Sequence, residues 1–239
     1  MKQLTRRTAR ILTPLFLATL SAAAAHAQTP EFAPVVVAPY GQPFAANSHG
    51  QVAGTRTVLG IARAFVATAG AEELLPLPAG MLASRAFDIN EHGVVVGQVT
   101  GLTVGEYGRA ARWTPTPGGY EVDILDALPG LENSQANAIN DLGDVVGFTF
   151  ISGFGGGPAT LFVDSTAPAA GPVDLGALGF QAAPEAINNQ RQLVGGTLRM
   201  DLDTLAVESL GVPTGGALSY TFGYAYAINE ATCPASLIA

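Results

Sequence analysis

Short apolar runs, each closed by an asparagine, set the pattern of this chain. They end in Ala45-Ala46-Asn47, Asp88-Ile89-Asn90, Ala138-Ile139-Asn140, Ala186-Ile187-Asn188 and Ala227-Ile228-Asn229, at spacings of 43, 50, 48 and 41 residues. A recurrence in that range predicts an array of supersecondary units, each burying its apolar faces against a neighbour. Around the second asparagine, Ala86 to Ile89 predicts a strand, Asn90-Glu91-His92-Gly93 a turn, and Val94 to Val99 the returning strand. Asparagine bonds its own backbone two residues on, and glycine supplies a positive φ, so the loop closes a hairpin with a bulge at the glycine. Gly50, Gly93 and Gly143 share that offset, and Arg191 takes it in the fourth copy. A left-handed arginine there costs on the order of 1 kcal/mol unless the loop takes another shape.

Each turn leads into an aliphatic stretch ending in glycine, at Gly54, Gly97, Gly147 and Gly195, where a small residue permits a bulge or a close backbone approach. Third strands are predicted at Arg63 to Val66, Arg109 to Trp113 and Pro158 to Val163, and fourth strands at Leu74 to Leu77, Val122 to Leu128 and Val173 to Leu178. Four short strands per unit are the signature of a propeller blade. The apolar runs are continuous, which suits sheets covered on both faces. A β-sandwich is the alternative, but it gives no reason for a five-fold recurrence. The expected fold is therefore all-β, a propeller-like array of about five blades. Four are whole, and one is shared between the segments Glu31 to Tyr40 and Tyr224 to Asn229, unless the array is open or truncated. Irregular loops are expected between second and third strands, at Thr55 to Ala62, Thr100 to Gly108, Thr149 to Gly157 and Thr197 to Asp203.

The N-terminus predicts an export signal over residues 1–27. Lys2, Arg6, Arg7 and Arg10 precede the apolar run Ile11 to Leu20, and Ala25-His26-Ala27 supplies a cleavage pattern before Gln28. The mature domain then spans residues 28–239, in the periplasm, at the cell surface or outside the cell, with no membrane span after cleavage. The formal charge of the whole chain is −8. Removing the leader, which holds the sole lysine, leaves 7 basic against 19 acidic residues. That sign repels phosphate backbones, so no nucleic-acid partner is expected. The lone Cys233 precludes an intramolecular disulfide.

With the units laid out, the chain resembles the bacterial extracellular HAF-repeat family, whose units run as a Leu-Gly-Gly segment, then Ile-Asn-x-x-Gly-x-Val-Val-Gly, then His-Ala-Phe-x-Trp. Asp174-Leu175-Gly176-Ala177-Leu178-Gly179 and Ile139-Asn140-Asp141-Leu142-Gly143-Asp144-Val145-Val146-Gly147 carry the match. Arg63 and Arg109 stand where the family has its histidine, and Ala111 replaces the phenylalanine in the second of these copies. The resemblance implies export and a repeat fold without implying an activity.

No catalytic constellation, cofactor site or metal site is expected. His49 and His92 sit at equivalent turn positions with no recurring third ligand. Asp88 is the one acid at the position before Ile-Asn, whereas glycoside hydrolysis needs a pair. Asp201-Leu202-Asp203 lacks the glycine of a calcium loop. Loops grouped on a rigid array are the usual place for recognition. Tyr107, Phe150 and Phe154 are therefore the candidate contacts for a protein or carbohydrate ligand, whereas Trp113 belongs to a core strand. The function expected is a non-catalytic binding or structural scaffold, with no enzymatic activity. Its alternatives are an exported propeller hydrolase acting on polysaccharide and a truncated repeat protein without activity of its own.

Overall fold

The computed structural model describes residues 41–101, 108–151, 157–211 and 227–230, all within the unit Val35–Ala239. Among these residues there is no helix. Sixteen strands form four antiparallel sheets of four. Sheet 1 holds β1 (Gly41–Ala46), β2 (Gln51–Val58), β3 (Ile61–Thr68) and β4 (Ala71–Leu74). Sheet 2 holds β5 (Met81–Ile89), β6 (Val95–Gly101), β7 (Gly108–Thr116) and β8 (Gly119–Ile124). Sheet 3 holds β9 (Asn133–Ile139), β10 (Val145–Phe150), β11 (Ala159–Val163) and β12 (Val173–Asp174). Sheet 4 holds β13 (Ala186–Ile187), β14 (Gln192–Gly195), β15 (Leu198–Asp201) and β16 (Val207–Ser209). Strand order follows chain order in every sheet, and no sheet closes on itself.

Three apolar layers hold the sheets face to face. Val95 of β6 packs with Ala53, Val66 and Leu75 of the sheet 1 segment, while its neighbour Val96 packs with Ile139, Val145 and Phe162 of sheet 3. One sheet further on, Val145 faces sheet 2 and Val146 joins Leu161, Leu193 and Met200 towards sheet 4. Successive side chains on a strand point to opposite faces, so a Val-Val pair covered on both sides requires a sheet at each face. This is the physical content of the continuous apolar runs. Trp113 lies wholly buried in the first layer, its indole Nε1 donating to the Pro76 carbonyl at 2.8 Å.

The first strand of each of the first three sheets carries a bulge three residues before its asparagine. Phe44, Phe87 and Asn137 are the unpaired residues, each between two residues that pair with consecutive residues of the second strand. In these three sheets the glycine ending the aliphatic stretch stands beside the bulge. A Cβ on Gly54, Gly97, Gly147 or Gly195 would overlap the carbonyl oxygen of Gln42, Arg85, Gln135 or Ala183 respectively. The glycine is thus required by close approach of backbone to backbone.

Several boundaries differ from the sequence reading. The fourth strands begin earlier than expected, at Ala71 and Gly119, because tight turns return the chain at once. In the first of these, Ala69 and Gly70 both take positive φ, 50° and 85°. Leu75, Leu125 and Leu175, placed inside fourth strands from the sequence, instead lie just past the ladder, each N–H reaching the third-strand carbonyl of Ala64, Ala110 or Ala159. The loop expected over Thr55 to Ala62 is a two-residue hairpin turn at Leu59-Gly60, and that expected over Thr197 to Asp203 is mostly β15. Arg191 does adopt the left-handed conformation, with φ 58°. The export segment, residues Glu31 to Tyr40 and Cys233 lie outside the described residues, and Ala227 to Asn229 form no strand.

Candidate functional site

The corners after the first strands share one hydrogen-bonding scheme. Asn47, Asn90, Asn140 and Asn188 each donate a backbone N–H to the carbonyl four residues on and accept, on their own carbonyl, the N–H of Gly50, Gly93, Gly143 or Arg191. The side-chain Oδ1 accepts backbone N–H groups within the same loop, as for Asn90 from His92 at 3.1 Å and Val94 at 3.0 Å. The side-chain Nδ2 reaches the next corner. Asn47 donates to the Asn90 carbonyl at 3.0 Å, Asn90 to that of Asn140 at 3.0 Å, Asn140 to that of Asn188 at 3.0 Å, and Asn188 to that of Asn229 at 2.9 Å. Only a primary amide supplies an acceptor and a two-proton donor at this reach, so asparagine satisfies its own turn and the neighbouring one together. Asn90, Asn140 and Asn188 are buried.

A second row runs beside the first. The N–H groups of Ser48, Glu91, Asp141 and Asn189 donate to side-chain oxygens of Glu91, Asp141, Asn189 and Glu230, the residue following the next asparagine in each case. The Ser48 hydroxyl and N–H hold the half-exposed Glu91 carboxyl below its ordinary pKa. His49 Nδ1 stands 3.3 Å from the same carboxylate, and His92 is exposed. Among the described residues no group of three histidine, cysteine or acidic side chains is arranged to hold a metal.

Asp88 is committed to the scaffold. Its Oδ1 accepts the N–H of Ile89 at 2.8 Å and its Oδ2 that of Ile139, on the next sheet, at 2.9 Å. Burial outweighs these bonds and raises its pKa from 3.8 to about 6. Ser84 and Ser134 also tie sheets together, their hydroxyls accepting the N–H of Ala64 at 2.9 Å and Ala110 at 2.8 Å.

The fourth corner carries a buried ion cluster that the sequence reading missed. Arg191 donates to Asp144 through Nε and Nη2 at 2.9 and 3.1 Å, to Asp164 at 2.6 Å and to Asp203 at 2.7 Å. Asp144 is fully buried and also accepts Asn140 Nδ2 at 2.9 Å, so the cluster is continuous with the asparagine row. Burial pushes Asp164 up, but Thr166 and Arg191 outweigh it and hold the carboxyl below the usual range. The carboxylates in turn raise Arg191 against the opposing effect of its own burial. The available signal was an arginine in a glycine position, which demands a compensating contact.

Two clefts of about 680 and 670 Å³ open at the far end of the sheets from the corners. Each lies where the start of a third strand meets the linker into the next sheet. The first is lined by Arg109, Asp126, Leu128 and Glu132, the second by Phe148, Asp174, Phe180 and Gln181. Of the aromatic contacts named from sequence, Tyr107 and Phe154 lie outside the described residues. Phe150, half-buried, packs against Phe148 with ring centroids 5.5 Å apart. The structure does not bring it into the lining of either cleft. No helix among the described residues is long and apolar enough to cross a membrane. No family model matches the chain, and no curated protein matches it.

Proposed function

We propose that this chain is an exported, non-catalytic scaffold, a propeller-like array of HAF-type repeats that acts as a binding or structural module outside the cytoplasm. The observation that carries this reading is the use made of buried polar groups. Asn90, Asn140 and Asn188 direct their side-chain amides at the next corner, Ser84 and Ser134 bridge neighbouring sheets, and both oxygens of Asp88 are held by backbone N–H groups. Such groups hold a framework rigid, and a rigid framework presents loops and clefts for recognition. The mature chain, expressed with its own leader, is expected outside the cytoplasm with an N-terminus near Gln28 and to retain a glycan or protein partner in pull-down. Hydrolysis of a polysaccharide by the pure protein, lost in Asp88→Asn, would overturn the non-catalytic reading.

A further inference from the structure

We propose that the cleft where sheet 3 meets the linker into sheet 4 binds a neutral saccharide, with the Phe148 ring as its platform and Asp174 and Gln181 as acceptors for its hydroxyls. The inference rests on the binding-module reading above and names the ligand class for it. The cleft, of about 670 Å³, falls within the roughly 300–1,000 Å³ of small-molecule sites. Its floor is the fully buried Phe180, and Phe148 lines it half-buried. Phe150, two residues along the same strand and therefore on the same face, packs beside Phe148 and limits the movement of its ring.

The polar groups of the cleft are only partly used by the protein. Asp174 accepts the Ala177 N–H on Oδ1 at 2.9 Å, and the Gln181 side-chain N–H donates to the Gly176 carbonyl. The other Asp174 oxygen and the Gln181 amide oxygen have no protein donor among the described residues. The second Gln181 N–H has no protein acceptor among the described residues either, so the cleft suits groups that both donate and accept, set around a compact apolar face that rests on an aromatic ring. A pyranose has this arrangement, its axial C–H face stacking while equatorial hydroxyls donate. No cationic side chain lines the cleft, and the excess of 19 acidic over 7 basic residues outside the leader disfavours an anionic sugar.

The cleft where sheet 2 meets the linker into sheet 3 is an internal control. It has the same size and position, but its lining is Arg109, Asp126 and Glu132 with no aromatic ring. It lacks the platform and is not assigned a sugar.

Calorimetric titration of the secreted full chain with cellohexaose, maltohexaose and chitohexaose, beside hexagalacturonate, tests the assignment. At least one neutral hexasaccharide is expected to bind, and hexagalacturonate is not. Phe148→Leu, which keeps bulk and loses the ring, should weaken binding about tenfold, and Phe148→Tyr should restore it. Arg109→Gln should leave it unchanged. The proposal is overturned if no neutral hexasaccharide binds, if Phe148→Leu binds as wild type with an unchanged unfolding midpoint, or if Arg109→Gln abolishes binding. Capture of a protein partner by a chain that binds no saccharide would sink this assignment and leave the binding-module reading standing.

Discussion

The corners at Asn140 and Asn188 follow the same backbone path for different reasons. At Asn140 the fourth loop position is Gly143, with φ 93° and open space where a Cβ would go. At Asn188 it is Arg191, an L-residue forced to φ 58°. What keeps Arg191 there is its side chain, which neutralises Asp144 at the preceding corner. The asparagine sets the corner, and the fourth residue needs only to tolerate it or to be held in it by something else.

Replacing the unusual residue should give the largest effect. Arg191→Gly relieves backbone strain of about 1 kcal/mol but leaves the fully buried Asp144 unpaired, for which a loss of about 3–5 kcal/mol is typical. Denaturant unfolding should show a net loss of about 3 kcal/mol. Adding Asp144→Gln rebuilds the Gly-Gln arrangement of Gly50 and Gln51 and should recover a substantial part. If the double variant is no more stable than Arg191→Gly, the ion cluster is not what holds this corner.

Asn140→Ala removes the bonds to Asn188, to the Asp144 side chain and to the Asp144 N–H while leaving those groups buried. A loss of about 2–3 kcal/mol is expected. Asn47→Ala, at a partly exposed corner, should lose about 1 kcal/mol. Equal losses at the two sites would mean that burial of the row contributes nothing. Two glycines of sheet 3 sharpen the point further. Gly147→Ala drives a Cβ into the Gln135 carbonyl and should lose about 2 kcal/mol, whereas Gly143→Ala meets only left-handed strain of about 1 kcal/mol. The reverse order, read from unfolding midpoints, would contradict the close-approach account of the aliphatic-glycine motif.

Asp88 separates the sheet 2 corner from its alanine-bearing equivalents through pH. Its folded pKa of about 6 lies above the ordinary 3.8, so the charged form is the one the fold disfavours. The stabilisation of the protonated form is fully present below about pH 4 and is lost as pH rises through about 6. Relative to Asp88→Asn, wild type should lose on the order of 1–2 kcal/mol between pH 4 and pH 7. A flat difference across that range would show Asp88 to be solvated in the fold.

The framework was legible in the sequence because few residue types meet its demands. Asparagine alone satisfies two turns at once, so Asn90, Asn140 and Asn188 stood out. Paired aliphatics such as Val95-Val96 announced sheets covered on both faces. The partners of those groups were not legible. Arg191 meets Asp144 from 47 residues away, and chain spacing carries no trace of that meeting. Ser84 and Ser134 bridge sheets at equivalent positions, yet Ala182 occupies the next one, so two copies made too faint a pattern. Phe148 carries no mark in the sequence, because cleft lining depends on how a strand meets the linker beyond it. Phe150, the residue the sequence does single out, lies two residues along and packs beside the ring that lines the cleft.

The row of asparagine amides joining successive sheets is the central claim, and side-chain amide hydrogen exchange by NMR tests it most directly. The Nδ2 protons of Asn90, Asn140 and Asn188 should exchange as slowly as the backbone amides of Val96 and Val146. Exchange at the rate of a solvated asparagine side chain would contradict the account.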